Sequence, residues 1–368
     1  MDKLPSLYGI VMAGGSGQRF WPLSRILRPK QCLSMLGPGT MLQQACARLR
    51  TFLPSEKIVV ITRKGIEVMV AKQVFQLPGK NVVAEPCGRD TAAAVTLAAC
   101  ILYRRDPQAV MAIVPSDHVV RNPQALVQAV KQAAILASEE EVLITVGIRP
   151  TEPATGYGYI QMGEPCKGPH ITHPNKNMYH AKCYREKPDV NTARRFLVSG
   201  DYLWNSGVFV WKARTILQEI HRHLPRHGQL ADALLRAKNS RRFAMIVNKL
   251  YPKLPKTSID FGVLEKSDKI VILRSALQWD DLGSWTSLER YLQPDRQGNT
   301  LLGNALVVEG RGNLVRTDSD HLVGVLGTEN LVVVHTRDAT LVCSKGKVQE
   351  LKKLVSSLQR NPKTKKYL

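Results

Sequence analysis

The 368-residue chain is long enough for two domains. Its 44% hydrophobic and 22% charged residues describe an ordinary globular chain, neither disordered nor fibrous. Lys and Arg number 52 against 30 Asp and Glu, a net charge of +22 that favours polyanions or phosphorylated small molecules as ligands.

The longest nearly apolar run, residues 92–102, falls short of the roughly 18 residues of a membrane span. The apolar run 7–13, behind Lys3, ends in glycines and not in a cleavage site, so neither a span nor a signal peptide is expected. The seven cysteines include no CxxC pair and read as reduced, mostly buried thiols of a cytoplasmic protein.

The first half alternates β-rich and helical runs. Strands are expected at 7–13, 57–62, 81–85, 109–115 and 142–147. Helices are expected at 41–52, 67–75, 90–103 and 123–137, the last opened by Asn122-Pro123 as cap and first turn. This rhythm predicts an α/β fold, a mostly parallel sheet with helices on both faces. Ligands of such sheets sit at the carboxyl ends of the strands, here the loops after Ala13, Glu85 and Pro115.

Residues 151–291 mix strands (157–162, 202–211, 270–273) with helices (190–197, 213–221, 229–237). No linker sets them apart, so residues 1–293 read as one domain. In residues 294–368, apolar pairs recur at Leu306-Val307, Leu314-Val315, Leu322-Val323, Leu331-Val332 and Leu341-Val342. This predicts a small β-solenoid or sandwich, closed by an amphipathic helix at 349–359.

Chemistry concentrates in a few loops. Gly14-Gly15-Ser16-Gly17-Gln18-Arg19 follows the first strand, where glycines free the backbone to turn amide N–H groups onto an anion. Arg19 and Lys30 add charge. The loop is no Walker motif, and no helix with an acidic ribose binder follows it. Asp117, in Pro115-Ser116-Asp117-His118, is a candidate Mg²⁺ ligand at a strand end. Trp279-Asp280-Asp281-Leu282-Gly283-Ser284-Trp285 offers a second carboxylate, one acid only, because neighbours on an extended chain face opposite ways. Thr155–Ile160, Arg185–Pro188 and Trp204–Gly207 carry groups suited to sugar hydroxyls and a phosphate.

His221, His223 and His227 read as surface helix residues and not as a metal site. Basic residues concentrate at 213–256 and 351–368, yet no interleaved aromatics form a stacking platform, so nucleic acid is not the expected partner.

The series GGSGQRFWPLSR, RPKQ, EPCGRDTAAA, PSDH, TGYGYI, EKP, WNSGVF, SIDFGVLEK and WDDLGSW resembles the mannose-1-phosphate guanylyltransferases, in their order, over residues 8–358. The likeness is to the bacterial type whose longer members add a phosphomannose isomerase domain, and here to a form without it. It implies a nucleotidyltransferase fold, a C-terminal left-handed β-helix, Mg²⁺ dependence, frequent homodimers, and a role in GDP-mannose and polysaccharide biosynthesis.

By the same resemblance, Gly14, Gly15, Gly17, Arg19 and Lys30 hold the GTP phosphates. Glu85, Pro86, Arg89 and Thr91 lie near guanine and ribose. Asp117 and Asp281 bind the metal, and Gly156, Tyr157, Glu186, Lys187 and Asn205 face mannose 1-phosphate. Arg19, Lys30 and Lys187 are the catalytic cations. The chain departs from the family at Asp90, where the usual residue is Asn, and at Ala92–Ala94, where a Pro is missing. The alternatives are transfer to another sugar 1-phosphate or from another nucleoside triphosphate and, in a different class, a non-catalytic sensor or nucleic-acid-binding protein.

Overall fold

The structure, a computed structural model, describes residues 5–15, 17–166, 177–318 and 320–368; Lys3 and Ser16 lie outside them. In chain order the elements are β1 (Leu7–Met12), α1 (Met41–Arg50), β2 (Ile58–Arg63), α2 (Glu67–Gln73), β3 (Val82–Glu85), α3 (Thr91–Arg105), β4 (Val110–Pro115), β5 (Val119–Val120) and α4 (Pro123–Glu139). There follow β6 (Leu143–Ile148), β7 (Tyr159–Pro165), β8 (Met178–Arg185), α5 (Val190–Ser199), β9 (Tyr202–Lys212), α6 (Ala213–His223), α7 (Pro225–Leu235) and α8 (Ser240–Leu250). The chain ends with β10 (Ile270–Ser275), β11 (Trp279–Asp280), β12 (Thr300–Leu302), β13 (Ala305–Val308), β14 (Leu314–Thr317), β15 (Val323–Leu326), β16 (Leu331–His335), β17 (Thr340–Ser344) and α9 (Leu351–Arg360).

Contacts group these elements into two compact units. One holds the chain to Gly14, Gln43–Ser116 and Val120–Trp279; the other holds Gly15–Leu42, Asp117–Val119 and Asp280–Leu368.

The first unit is built on a nine-stranded sheet in the order β3-β2-β1-β4-β9-β6-β10-β8-β7. The pairings run seven strands one way and only β8 and β9 the other, the mostly parallel arrangement expected. The Ile/Val runs of β2 and β4 are buried along almost their whole length, as strands covered on both faces must be. α3 is Ala-rich because it too is buried nearly all round, packed on α6 and α7. The Asp90 carboxylate caps its first turn, accepting from Thr91 N at 2.8 Å.

At α4, Pro123 takes the first turn as expected, but Asn122 does not cap the helix with its side chain. It accepts from Gln278 N at 2.7 Å and donates to Ala276 O at 3.0 Å, tying the helix start to the segment after β10.

Several sequence readings shift. The strand expected from residue 157 begins at Tyr159, the helix expected from 229 begins at Pro225, and β8 and α8 were not foreseen. His227 is no surface residue: it is 1% exposed, and its Nε2 has no hydrogen-bond partner. His221 and His223 sit on α6 beside Asp232 and Glu219. All seven thiols are free, but only Cys32, Cys46 and Cys100 are buried, and Cys183 is exposed. No helix among the described residues is long and apolar enough to cross a membrane.

In the second unit, β12, β14 and β16 pair in parallel register, as do β13 and β15, and β17 closes the stack antiparallel to β16. Parallel pairing of strands this close in sequence requires a coil and not a sandwich. Two buried asparagines pin the turns: Asn299 Oδ1 accepts from Asn313 N at 2.9 Å, and Asn313 Oδ1 accepts from Leu331 N at 3.0 Å. The core of this unit joins Phe20, Trp21, Leu33 and Met41, from the segment after the glycine-rich loop, to Trp285, Leu314, Val332 and Leu351. Apolar burial thus anchors the loop cations at the start of the chain to the acidic segment more than 250 residues later.

Candidate active site

Lys30 is the centre of one cluster. It is 4% exposed, yet its ammonium donates to Asp117 Oδ2 at 3.0 Å and to the Asp281 carbonyl at 2.6 Å. One buried cation therefore gathers Asp117, two residues past β4, and the backbone of Asp281. Burial works to raise the Asp117 pKa, but the charges of Lys30 and His118 and the Lys30 hydrogen bond prevail and hold it below the usual carboxylate range.

Gly17 makes the approach of Lys30 possible. Its φ is +60°, and a Cβ there would collide with Lys30 Cβ and stand 2.9 Å from Lys30 N. Gln31 Nε2 donates to Gly15 O at 3.0 Å and Ser24 Oγ to Gly17 O at 2.7 Å, which fixes the described part of the loop. Arg19 Nη1 donates to Gly283 O at 3.2 Å, while its buried Nε has no partner.

The two adjacent acids have different surroundings. Asp280 is buried and structural, accepting from Arg290 Nη1 at 2.6 Å and from Leu282 N at 2.7 Å. Asp281 turns the other way: both its carboxylate oxygens lie 3.4 Å from where a Cβ on Gly283 would be, and Arg19 Nη1 lies 3.7 Å from that same point. Carboxylate oxygens such as those of Asp117 and Asp281 are hard donors of the type Mg²⁺ takes. Among the described residues no group of three or more His, Cys, Asp or Glu could hold a metal ion.

The first unit carries two further clusters. Glu85, at the end of β3, is 5% exposed and accepts from the Tyr251 hydroxyl; a Cβ on Gly14 would stand 2.9 Å from its Oε2. Burial pushes the Glu85 pKa up to about 7, against the pull of the Tyr251 bond and with a smaller push from Asp90. Arg89 Nη2 donates to Pro252 O while its buried Nε has no partner, and Thr91 Oγ1 accepts from Ile259 N at 2.8 Å. Pro86 follows Glu85, half-buried.

The other cluster surrounds Asn205. Its Nδ2 donates to Tyr184 Oη at 2.6 Å and to Asp260 Oδ1 at 3.0 Å; its Oδ1 accepts from Thr145 Oγ1 at 2.9 Å and Gly207 N at 3.1 Å. Tyr184 Oη also donates to Asp260 Oδ1 at 2.7 Å. Lys187, at φ +46°, donates to Glu186 Oε1 at 2.6 Å, and Glu186 N donates to Glu265 Oε1 at 2.9 Å. Burial raises the pKa of Glu186, Asp260 adds to the rise and Lys187 opposes it. Burial raises that of Asp260 too, against the hydrogen bonds it accepts. Tyr157 sits between the rings of Trp204 and Trp279, 5.0 Å from each. Gly156 is exposed, with open space where a Cβ would be.

Asp260, Glu265 and Tyr184 are absent from the sequence-based set. Asp260 and Glu265 stand in the SIDFGVLEK motif, which gave a signal without a role, whereas Tyr184 in β8 gave none.

The chain belongs to the nucleotidyl transferase family: residues 8–297 match the nucleotidyl transferases, and residues 303–358 match the mannose-phosphate isomerase/GMP-like β-helix domain. It is 36% identical to the mannose-1-phosphate guanylyltransferase of Escherichia coli over 97% of this chain and 75% of that protein. It is equally identical to the xanthan biosynthesis protein XanB of Xanthomonas campestris, over 97% and 73%. A solved structure of a mannose-1-phosphate geranyltransferase from Thermus thermophilus superposes with a TM-score of 0.82 at 34% identity, covering 96% of this chain and 99% of that one. Within the nucleotidyl transferases, the chain groups with the mannose-1-phosphate guanylyltransferases.

Proposed function

We propose that the protein transfers GMP from GTP to α-D-mannose 1-phosphate, giving GDP-mannose and pyrophosphate. The observation that carries this reading is the buried Lys30 held to both Asp117 and Asp281 beside Gly17. A sugar-phosphate oxygen forms a bond to the α-phosphorus of GTP as the bond to the bridging oxygen breaks, and that oxygen leaves with pyrophosphate. The nucleophile is already an anion, so no general base is required.

The obstacle is repulsion between two anions. Two unit charges at 4 Å repel by about 4 kcal/mol at an effective dielectric near 20. Catalysis is therefore positioning and charge neutralisation. Arg19 and Lys30, with the backbone of Gly14, Gly15 and Gly17, take the charge of the triphosphate. Lys187 takes the charge of the sugar phosphate, with Glu186, Gly156 and Tyr157 around the sugar. Glu85 and Pro86 lie by the base, with Arg89 and Thr91 supporting them. Asp117 and Asp281 would hold Mg²⁺, which when bound neutralises phosphate charge.

In this reading residues 1–293 form the catalytic domain and 294–368 the β-helix domain, and the reaction runs in the cytoplasm. A pyrophosphate-release assay over a matrix of nucleoside triphosphates and hexose 1-phosphates tests it. GTP with mannose 1-phosphate should give the highest kcat/KM; a clear preference for another pair would refute the assignment.

A further inference from the structure

Residues 21–25, at the end of the GGSGQRFWPLSR motif, take no part in the proposed chemistry, yet they are tightly held. Arg25 is their hub. Its Nε donates to Pro22 O at 2.5 Å, its Nη1 to Tyr367 O at 2.5 Å, and its Nη2 to Asp338 Oδ1 at 2.8 Å, in the turn between β16 and β17. A guanidinium presents its donors in a rigid fork, so acceptors on three of them fix its orientation. Trp21, 7% exposed, donates from Nε1 to the same Tyr367 O at 2.8 Å. A carbonyl has two lone pairs, and Tyr367 spends both on residues 21 and 25.

The segment that supplies this carbonyl is itself built in. Thr364 Oγ1 donates to Leu358 O of α9 at 3.0 Å, and Tyr367 N donates to Thr364 O at 3.0 Å. Leu368 packs on the core that contains Phe20 and Trp21. These last residues lie beyond 303–358, the stretch that matches the β-helix domain.

Trp21 is two residues from Arg19, with little slack between them. Phe20 N donates to Gly17 O at 2.9 Å and Trp21 N to Gln18 O at 3.2 Å, while Trp21 O accepts from Trp285 Nε1 at 3.1 Å. A shift of Trp21 therefore passes into the turn that carries Arg19 and leaves Gly17.

We infer that residues 361–368 form a clasp on the nucleotide loop: through Tyr367 O they hold Trp21 and Arg25, and these act as positioning residues that aim Arg19 at the triphosphate. The inference rests on the reading of the glycine-rich turn as the GTP phosphate subsite. Without the clasp, the Trp21 indole and one arm of Arg25 lose their shared acceptor at a largely buried place, and the turn loosens. A cation stabilises a developing charge only as well as it is fixed in advance.

The test is pyrophosphate release from GTP and mannose 1-phosphate. It compares wild type, the chain without residues 361–368, Arg25→Met, and the two changes combined. A further variant carries Lys363→Gln, Lys365→Gln and Lys366→Gln together, which removes the charge of the clasp and keeps its backbone. Removing 361–368 should raise KM for GTP about tenfold or more and leave KM for mannose 1-phosphate at the wild-type value. Arg25→Met should act in the same direction. The combined variant should lose less than the product of the two single effects, because both break one contact. The triple Lys variant should keep the wild-type KM for GTP.

A wild-type KM for GTP in the shortened chain overturns the inference. So does an equal rise in both KM values, which is general loosening, or a matching rise in the triple Lys variant, which is charge attraction. Full additivity of the truncation with Arg25→Met also overturns it. Circular dichroism checks folding; if the shortened chain does not fold, Trp21→Phe, which removes the indole donor and keeps an aromatic ring, takes its place in the cycle. If wild type releases no pyrophosphate from GTP with mannose 1-phosphate, the functional reading fails, an outcome distinct from these.

Discussion

The ammonium of Lys30 donates to the carbonyl of Asp281 at 2.6 Å, joining residues 251 positions apart in the chain. The same ammonium holds the Asp117 carboxylate at 3.0 Å, so one buried cation ties Asp117 to the backbone of Asp281.

Replacing Lys30 by Met therefore removes two functions together. Turnover should fall by about 10²–10³-fold, the cost typical of deleting one preorganised electrostatic contact. A fall of less than about fivefold in steady-state pyrophosphate release would remove Lys30 from the chemistry.

The adjacent acids should separate cleanly. Asp281→Ala should lower kcat by several powers of ten with little change in melting temperature. Asp280→Ala breaks the bonds to Arg290 and Leu282 N in a buried position, and should cost about 1–3 kcal/mol of stability, measured by denaturant unfolding. Equal effects of the two substitutions on both quantities would contradict the division of labour.

Gly17→Ala places a Cβ against the Lys30 backbone at a φ of +60°. The left-handed conformation alone costs about 1–2 kcal/mol, and the collision adds to it. The variant should raise KM for GTP, because Lys30 must shift. Gly324→Ala, outside that loop, meets nothing within 4 Å and is the control.

Much of this was legible in the sequence because it depends on local chemistry. The Gly-rich turn, the strand-end acids and the buried Ile/Val runs each announce themselves within a short stretch of chain. The roles of Arg89 and Thr91 were not legible, since their partners Pro252 and Ile259 lie more than 160 residues away. Nor were the surroundings of Asp260, since Asn205 and Tyr184 come to it only through the sheet. The apolar pairs after residue 300 left solenoid and sandwich open, because spacing does not reveal whether neighbours pair in parallel.

Glu85 makes stability depend on pH. Its pKa rises from 4.5 to about 7 on folding, so between those values the folded state binds more protons than the unfolded state. Stability from this group is then fully retained below pH 4.5 and declines as pH rises through about 7, by roughly 3 kcal/mol in all. Glu85→Gln keeps an acceptor for Tyr251 and loses the titration. Its stability relative to wild type should rise between about pH 5 and pH 8 in urea unfolding, and a constant difference would contradict the assignment.

The most direct test of the central claim is Mn²⁺ binding, followed by electron paramagnetic resonance on the protein with GTP, for wild type, Asp117→Ala and Asp281→Ala. The account predicts that each substitution weakens Mn²⁺ binding at least about tenfold while both variants remain folded. Wild-type affinity in either variant would show that these two carboxylates do not share a cation.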